Sequence, residues 1–485
     1  MLLHLNGDGP LYRQVADAIR EKIRSGRWPG AMRLPGTRTL ARDLGVSRIV
    51  VLVAYEQLVA EGYLTTRRGS GSHVVEQVAD RLERPRATRR KVRRPGPLSA
   101  YAARALSLEP QAFPPRKATV DSRAIDFSYT RTLPDERTLE SWRRALSRAA
   151  ARPFLDYPDP AGSERLRKLI AADLREQRGV VGEADDVVVV NGSQQALDIT
   201  ARLLVSEGTS IGIEDPHYQG TRQAFLAAGA TLVPCAVDGQ GLDIGRHAAR
   251  LRSARAVCVT PSHQFPTGGV MPVARRLELL SWARAQDAWV VEDDYESEFR
   301  HGVGAISALQ GLDERGRVVY LGTFARSLFP GLRLGYVVVP PALRDHFRAI
   351  KWLADRGSSF TEQRALAELM ESGAYESARR RLGRSLAHKR DALVAALRAT
   401  FDERELIWSG ATSGAHVFLR LRRVRARDTG RVVERVARLG VRVYSGLPYF
   451  LQAPREAILI LGYATVRDAD IAVGISRLGR ALDEP

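Results

Sequence analysis

Lysine is scarce in this chain: of 74 basic residues, only six are lysines. A guanidinium group stays protonated at any physiological pH and has no free amine lone pair, so arginine cannot replace lysine as a nucleophile. Chemistry that needs a lysine amine therefore has six candidate positions, which are Lys22, Lys91, Lys117, Lys168, Lys351 and Lys389.

Cysteines are also few, and long apolar runs are missing. The two cysteines, Cys235 and Cys258, do not form a disulfide framework, and we interpret them as buried thiols in a reducing cytoplasm. No apolar run approaches the roughly 18 residues of a membrane helix, and the first residues lack a signal-peptide pattern. We therefore predict a cytoplasmic protein without a membrane partner, and we predict no metal site.

The length and the charge of the chain indicate several domains and an anionic partner. A chain of 485 residues is too long for one hydrophobic core, so we expect two or three domains. The net charge is +19, and more than half of it lies in the first 121 residues. A basic N-terminal end is typical of proteins that bind an anionic polymer such as a nucleic acid.

The pattern of residues 1–75 predicts three helices followed by a β-hairpin. Residues 11–26 place Leu11 and Ile19 on one apolar helical face, and a short second helix ends near Leu44. Ser47 is a predicted N-cap for a third helix, which runs to about Glu61. These elements predict a winged helix-turn-helix domain. The stretches RLPGTRTLARDLGVSR and AYEQLVAEGYLTTRRGSGSHV closely resemble the GntR DNA-binding domain, and the resemblance implies double-stranded DNA as partner.

DNA contact in such a domain combines phosphate neutralisation with insertion of the third helix into the major groove. Ile49 and Val50 stand just after Ser47-Arg48, where the family usually has polar residues. Apolar side chains pack on thymine methyl groups but cannot read base donors and acceptors, so we expect weak sequence specificity. The predicted DNA-contact residues are Arg38, Arg42, Ser47, Arg48, Arg67 and Arg68.

Residues 76–121 have the composition of a linker. They contain a basic, proline-containing stretch and no sustained periodicity. Eight basic side chains lie between Arg81 and Arg94. They either contact DNA phosphates or form a solvated tether, and the sequence leaves both alternatives open.

From about residue 122 to residue 485, apolar strands alternate with helices, and several strands lead into polar loops. Ligand sites in α/β domains lie at the carboxyl ends of strands. The loops contain NGSQQALD, EDPHYQG, TPSHQFPTGG, EDDYESEFR and GTFARSLFPGLRLGY. Their spelling and order resemble the fold-type I enzymes that use pyridoxal phosphate (PLP), and in particular the MocR branch of the GntR-type regulators. The resemblance implies a PLP-dependent transferase-like α/β domain, with a smaller α+β subdomain from about residue 340 to the end.

The resemblance also implies roles for the loop residues. Asp293 would pair with the pyridine nitrogen of PLP, Tyr295 with its phenolic oxygen, and Tyr218 would cover one face of the ring. Ser193, Gln194, Thr323 and Arg333 would hold the phosphate. The family has a lysine two residues after Phe324, where it forms an imine with PLP, but Arg326 stands there in this chain. Arg326 can hold an anion instead.

Two departures from the enzyme pattern therefore point away from catalysis. Besides Arg326, Ile460 stands where aminotransferases commonly have an arginine that grips a substrate carboxylate. We predict a homodimeric transcription regulator that senses a small-molecule effector, namely PLP or a PLP–amine adduct held without a covalent link. The alternatives are an aminotransferase with an attached DNA-binding head, and a regulator that has lost PLP.

Overall fold

The computed structural model describes residues 3–5, 7, 9–67, 69–76, 96, 98–108, 124–296, 298–299 and 306–483. The chain divides into two compact units, residues 1–97 and residues 98–485. Among the described residues, none of the helices combines the length and the apolar character that crossing a membrane requires.

The N-terminal unit is the predicted winged helix-turn-helix. Ser47 caps the third helix by accepting a hydrogen bond from the backbone N–H of Val50 at 3.4 Å, and Gly45 takes the left-handed conformation that ends the second. Leu11 was predicted on the buried face but is 47% exposed, because it is the first residue of its helix and lies beyond the core. The elements are α1 (Leu11–Arg24), α2 (Thr37–Leu44), α3 (Arg48–Ala60) and the antiparallel pair β1 (Leu64–Arg67) and β2 (Gly71–Val74).

The second unit contains a mostly parallel central sheet. Its strands are β4 (Val187–Val190), β5 (Ser210–Asp215), β6 (Thr231–Asp238), β7 (Gly241–Leu242), β8 (Ala256–Val259), β9 (Trp289–Asp294), β10 (Val318–Thr323) and β11 (Gly335–Val338). The strand order is β4-β11-β10-β9-β8-β5-β6-β7, and only β11 and β7 run against the other strands. The predicted α/β fold is thereby confirmed.

Helices cover both faces of this sheet. Alternate residues of β4 belong to different cores: Val189 packs with Trp142 and Leu166 on one face, and Val188 packs with Leu197 and Phe225 on the other. Burial on both faces explains why these strands are nearly continuous apolar runs. The helices are α5 (Glu136–Ala150), α6 (Glu164–Arg178), α7 (Ser193–Leu204), α8 (Gln219–Ala228), α9 (Ile244–His247), α10 (Val273–Ala285), α11 (Arg344–Asp355) and α12 (Phe360–Glu371).

A smaller antiparallel sheet forms the C-terminal part of the second unit, as the resemblance implied. Its order is β12-β13-β16-β15, and a separate parallel pair joins β3 to β14. The elements are β3 (Ile125–Asp126), α13 (Ala374–Thr400), β12 (Leu406–Ser409), β13 (His416–Arg425), α14 (Thr429–Arg438), β14 (Val441–Arg442), β15 (Tyr444–Ser445), β16 (Glu456–Gly462) and α15 (Asp468–Asp483).

Part of the predicted linker is a helix. The helix α4 (Ala100–Ser107) begins after Ser99, whose side chain accepts a hydrogen bond from Ala102 N. Arg104 fastens α4 to the rest of the second unit, because its Nη1 lies 2.8 Å from Glu207 Oε2 and its Nε donates to the Ala227 carbonyl at 3.0 Å. The stretch 76–121, predicted as a linker from its composition, therefore contains a short helix. The basic residues 81–94 lie outside the described residues.

Candidate cofactor and DNA-contact sites

The parallel strands bring the predicted loops to one edge of the central sheet. In the β9–β10 pair, Leu321 is the register partner of Asp293, so the end of β9 lies beside the start of the loop that follows β10. Electrostatic interactions place Tyr218 near Asp293, Arg326 and Arg333. Four residues predicted from three separate motifs therefore lie in one region of the fold.

Asp293 and Tyr295 lie on the floor of this region. Burial, followed by the charge of Asp294, raises the pKa of the Asp293 carboxyl to about 7, although Arg326 opposes the shift. The ring of Tyr295 meets Phe265 edge to face, with centroids 5.6 Å apart. Its buried hydroxyl has no hydrogen-bond partner among the residues that the structure describes. A buried phenol without a partner is costly, so this hydroxyl suits a ligand oxygen.

The start of α7 forms a second part of the site. Gly192 has φ of +79°, and a Cβ there would lie 2.6 Å from Arg333 Nη2, so a glycine is required. Arg333 Nη2 donates to the Asn191 carbonyl at 2.9 Å, and Ser193 is the first residue of the helix. Backbone N–H groups at a helix N-terminus beside a guanidinium suit a phosphate.

Gln194 and Thr323 make local contacts around this helix start. Gln194 Nε2 donates to the Gly220 carbonyl at 3.3 Å, next to the Tyr218 ring. Thr323 ends β10, and its hydroxyl accepts a hydrogen bond from Ala325 N at 3.1 Å. Ser327, the other hydroxyl of that loop, is turned into the core, where it meets the Tyr375 hydroxyl at 2.9 Å.

Arg326 lies in an internal ion pair. Its Nε is 3.2 Å from Glu296 Oε1, and its Nη1 donates to the Tyr129 carbonyl at 2.9 Å. The guanidinium carbon lies 5.9 Å from the centroid of the Tyr295 ring. Burial alone would raise the pKa of the Glu296 carboxyl, but Arg326, together with His416 and His263, lowers it to about 2. The charge of Arg326 is therefore paired with a carboxylate of the protein itself, at a position near Asp293 and Tyr295.

The face of α3 that points away from the domain core exposes apolar side chains. Ile49 is 70% exposed, and Leu52 and Val53 are exposed beside it, whereas the opposite face of the helix is buried. Arg48 Nε donates weakly to Thr37 Oγ1 at 3.5 Å. Four of the predicted DNA-contact arginines, Arg38, Arg42, Arg48 and Arg67, are exposed, and Arg68 lies outside the described residues.

Comparison with known proteins decides the family. The model of bacterial regulatory proteins of the gntR family matches residues 11–74, and the model of aminotransferase class I and II matches residues 126–452. The probable rhizopine catabolism regulatory protein MocR of Rhizobium meliloti is 36% identical, over 99% of this chain and 96% of its own length. This chain belongs to the MocR-type transcriptional regulators.

Two further comparisons agree with that family. The HTH-type transcriptional regulator TauR of Rhodobacter capsulatus is 32% identical, over 98% of this chain and 97% of its own length. The crystal structure of LysN, an alpha-aminoadipate aminotransferase from Thermus thermophilus, covers 79% of this chain and 97% of its own, with a TM-score of 0.68 and 27% identity. The MocR-type regulator thus combines a DNA-binding head with a domain whose fold normally binds PLP.

Sequence reasoning missed an acidic residue, Asp355, that holds the loop before α7 in this MocR-type regulator. Asp355 Oδ2 accepts hydrogen bonds from Asn191 Nδ2 at 2.8 Å and from Gln195 Nε2 at 2.7 Å. The fully buried Lys351 donates to Asp355 Oδ1 at 2.6 Å and to Ser358 Oγ at 3.0 Å. Asp355 thereby fixes the loop before α7. No sequence motif predicted this contact, because Asp355 lies on α11, far along the chain from Asn191 and Gln195.

An aromatic wall was also missed. Phe265 stands at its centre and meets Tyr218 and Tyr449 edge to face, with centroids 5.9 Å and 5.0 Å apart. Tyr129 packs against Phe265 and bonds through its hydroxyl to that of Tyr449. In the MocR-type regulator this wall lies against Tyr295, whose ring meets Phe265. The only available signal was the aromatic residue inside TPSHQFPTGG.

The buried carboxyl of Glu214, on β5, should make stability depend on pH. Burial raises its pKa from the ordinary 4.5 to about 7, despite hydrogen bonds from Thr260 and Gln264. The protonated Glu214 carboxyl contributes fully to the free energy of unfolding below pH 4.5. This contribution is lost as the pH rises through 7, because the folded state then has to bury the charged form. We expect the wild type to lose about 3 kcal/mol relative to Glu214→Gln between those limits, measured by urea unfolding. The exposed Glu176→Gln should leave the profile unchanged, and parallel wild-type and Glu214→Gln profiles would contradict the expectation.

Proposed function

We propose that this MocR-type regulator senses PLP, or a PLP–amine adduct, that binds without a covalent link to the chain. The observation that carries the proposal is the ion pair between Arg326 and Glu296, 3.2 Å apart, at the place where the family's motif has its lysine. A guanidinium has no lone pair to attack an aldehyde. Its partner Glu296 is fully buried, so the pair holds Arg326 in place.

The residues of the site fit PLP. The hydroxyl of Tyr295 has no partner among the described residues, and a phenolic oxygen of the ligand would satisfy it. A carboxylate at Asp293 would keep a pyridine nitrogen protonated, and Arg333 with the start of α7 would hold a phosphate. When bound, PLP supplies an aldehyde that condenses with amines. The crystal structure of LysN contains N-(5'-phosphopyridoxyl)-L-leucine, and this supports an adduct as ligand.

Amino-group transfer needs a group that moves a proton between the substrate carbon and the cofactor, and none of the lysines in the described part of the chain supplies a free amine here. Lys351 is held by Asp355, and Lys389 donates to the carbonyls of Ala464 and Val466 at 2.9 Å and 2.6 Å. Lys22 and Lys168 lie on other helices, and Lys91 and Lys117 fall outside the described residues. We therefore propose a sensor rather than an enzyme.

We further propose that the regulator acts as a homodimer. Sites of this fold type form between two subunits in the family, and paired DNA heads suit operators with two half-sites. Binding of the ligand in the second unit would then change how the two heads are presented to DNA.

The test is a PLP titration of the full-length protein with and without borohydride. We expect saturable binding that gel filtration reverses, and no mass increase after reduction. Asp293→Asn should weaken PLP at least tenfold, whereas the matched Asp345→Asn, at an exposed position in the first turn of α11, should not. A covalent PLP adduct on the natural chain would overturn the proposal, and so would the absence of saturable PLP binding.

Thymine methyl groups are the base feature that we expect α3 to read. Ile49, Leu52 and Val53 expose apolar surface on α3, the helix that would enter the major groove. The best binder from a randomised duplex pool should lose affinity when deoxyuridine replaces thymine, by about fourfold for each buried methyl group. Replacing thymines outside the protected footprint is the control. Equal affinity for thymine and uracil duplexes would show that the apolar face does not contact these methyl groups.

A further inference from the structure

Three residues from distant parts of the chain converge beneath the cofactor region. His263 follows β8, Glu296 follows β9 and His416 begins β13, and all three are buried. One ligand atom of each lies within 4.8 Å of the others. Two imidazoles and a carboxylate form a donor set that suits divalent zinc, cobalt or iron.

The hydrogen bond of His416 fixes which of its nitrogens faces Glu296. His416 Nε2 lies 3.1 Å from the Pro266 carbonyl, which can only accept, so Nε2 carries the proton. In the neutral ring, Nδ1 then presents a lone pair, and it lies 3.6 Å from Glu296 Oε2. A lone pair facing a carboxylate oxygen is unfavourable, so either a proton on Nδ1 or a metal cation lies between the two atoms.

In both histidines, the ring nitrogen that points away from Glu296 makes a hydrogen bond, as the second nitrogen of a metal-ligating histidine usually does. Ligating imidazoles commonly use their second nitrogen in a hydrogen bond to a carbonyl, carboxylate or other oxygen. His416 uses the Pro266 carbonyl, and His263 Nδ1 lies 2.6 Å from the Ser413 hydroxyl. Gly414 leaves room for Glu296 Oε2 and His263 Nε2 to lie close to each other. A Cβ at this position would lie 2.5 Å from the first atom and 2.7 Å from the second.

We propose that His263 Nε2, Glu296 Oε2 and His416 Nδ1 bind one divalent transition-metal ion. At about 2.1 Å from each ligand, tetrahedral coordination places ligand atoms about 3.4 Å apart. The distance of 3.6 Å between Glu296 Oε2 and His416 Nδ1 fits this value. The ligand atom of His263 lies within 4.8 Å of the other two, so it would have to move by about 1 Å to complete the site. The sequence-based prediction of no metal site overlooked these residues because their spacing follows no ligand motif.

The site would share Glu296 with Arg326. The guanidinium lies against Oε1, and the proposed metal would bind Oε2, which also accepts a hydrogen bond from Ala415 N at 3.1 Å. One carboxylate would thus join the ion to the loop that follows β10. The metal would connect the TPSHQFPTGG loop, the end of β9 and the C-terminal sheet. It would thereby hold the cofactor region against the smaller sheet, whether or not PLP binds.

The test is metal binding by the tag-free, full-length protein after removal of metal with a chelator. We expect one equivalent of Zn²⁺ by elemental analysis after gel filtration, and visible absorption typical of tetrahedral Co²⁺ on titration with Co²⁺. Glu296→Gln and His416→Gln should each weaken Co²⁺ binding at least 100-fold. The exposed His346→Gln, on α11, should bind as the natural chain does.

The folding of each variant is measured independently of its metal binding. Circular dichroism and binding to DNA report whether each variant is folded, and Ser413→Ala gives a milder change that should weaken Co²⁺ about tenfold through His263. Less than one equivalent of metal, or equal Co²⁺ affinity in natural chain and variants, would overturn the proposal. The cluster would then be an imidazolium–carboxylate pair. Because the readout is Co²⁺ and not PLP, failure here leaves the proposed function standing.

Discussion

Arg326→Lys is expected to turn a reversible PLP complex into a covalent one. The substitution removes the guanidinium that pairs with Glu296 and places a primary amine in the loop that follows β10, next to Asp293 and Tyr295. An amine can attack an aldehyde, whereas a guanidinium cannot. After incubation with PLP and borohydride, mass spectrometry should show near-stoichiometric labelling of this variant and none of the natural protein.

Arg333→Lys is the matched control for this experiment. It introduces an amine into the same loop, but at the position that contacts the Asn191 carbonyl beside α7. We expect weaker PLP binding, because a bidentate cation is replaced by a single ammonium, and no covalent label. Labelling of both variants to the same extent would mean that any amine in this loop reacts. An unlabelled Arg326→Lys variant would mean that position 326 does not face the aldehyde.

The local parts of this architecture could be predicted from the sequence. The N-cap at Ser47, the buried face of α3 and the order of apolar strands and polar loops all depend on residues close together in the chain. Side-chain periodicity and capping act over one or two turns, so a single sequence contains them. The helix α4 was missed because it has eight residues and lies in a stretch whose composition is typical of a linker.

The pairings that define the site could not be predicted in this way. Arg326 is a possible anion ligand in the sequence, yet the fold directs it to Glu296 and to the Tyr129 carbonyl. Asp355 and His416 reach the site from α11 and β13. Which distant side chains meet is decided by strand order and helix packing, and one sequence does not report either.

The buried ion pair between Arg178 and Asp294 supports the site from below. Asp294 lies next to Asp293 on β9, and its Oδ2 receives Arg178 Nε at 3.0 Å and the Tyr320 hydroxyl at 2.5 Å. Arg178 Nη2 also donates to Ser262 Oγ at 2.7 Å. The pair thus joins the end of α6 to β9 and to the TPSHQFPTGG loop, and both of its side chains are almost fully buried.

Asp294→Ala is therefore expected to destabilise the protein by about 3–5 kcal/mol, because it leaves the Arg178 charge buried without its partner. Urea unfolding followed by tryptophan fluorescence would measure the loss. The double variant Arg178→Met with Asp294→Leu should recover most of it, since replacing both charges removes the desolvation cost as well as the attraction. Glu164→Ala, which removes the partner of the exposed Lys168, should have no measurable effect. A double variant as unstable as Asp294→Ala would mean that the hydrogen bonds to Ser262 and Tyr320, rather than the ion pair, hold β9 and the loop together.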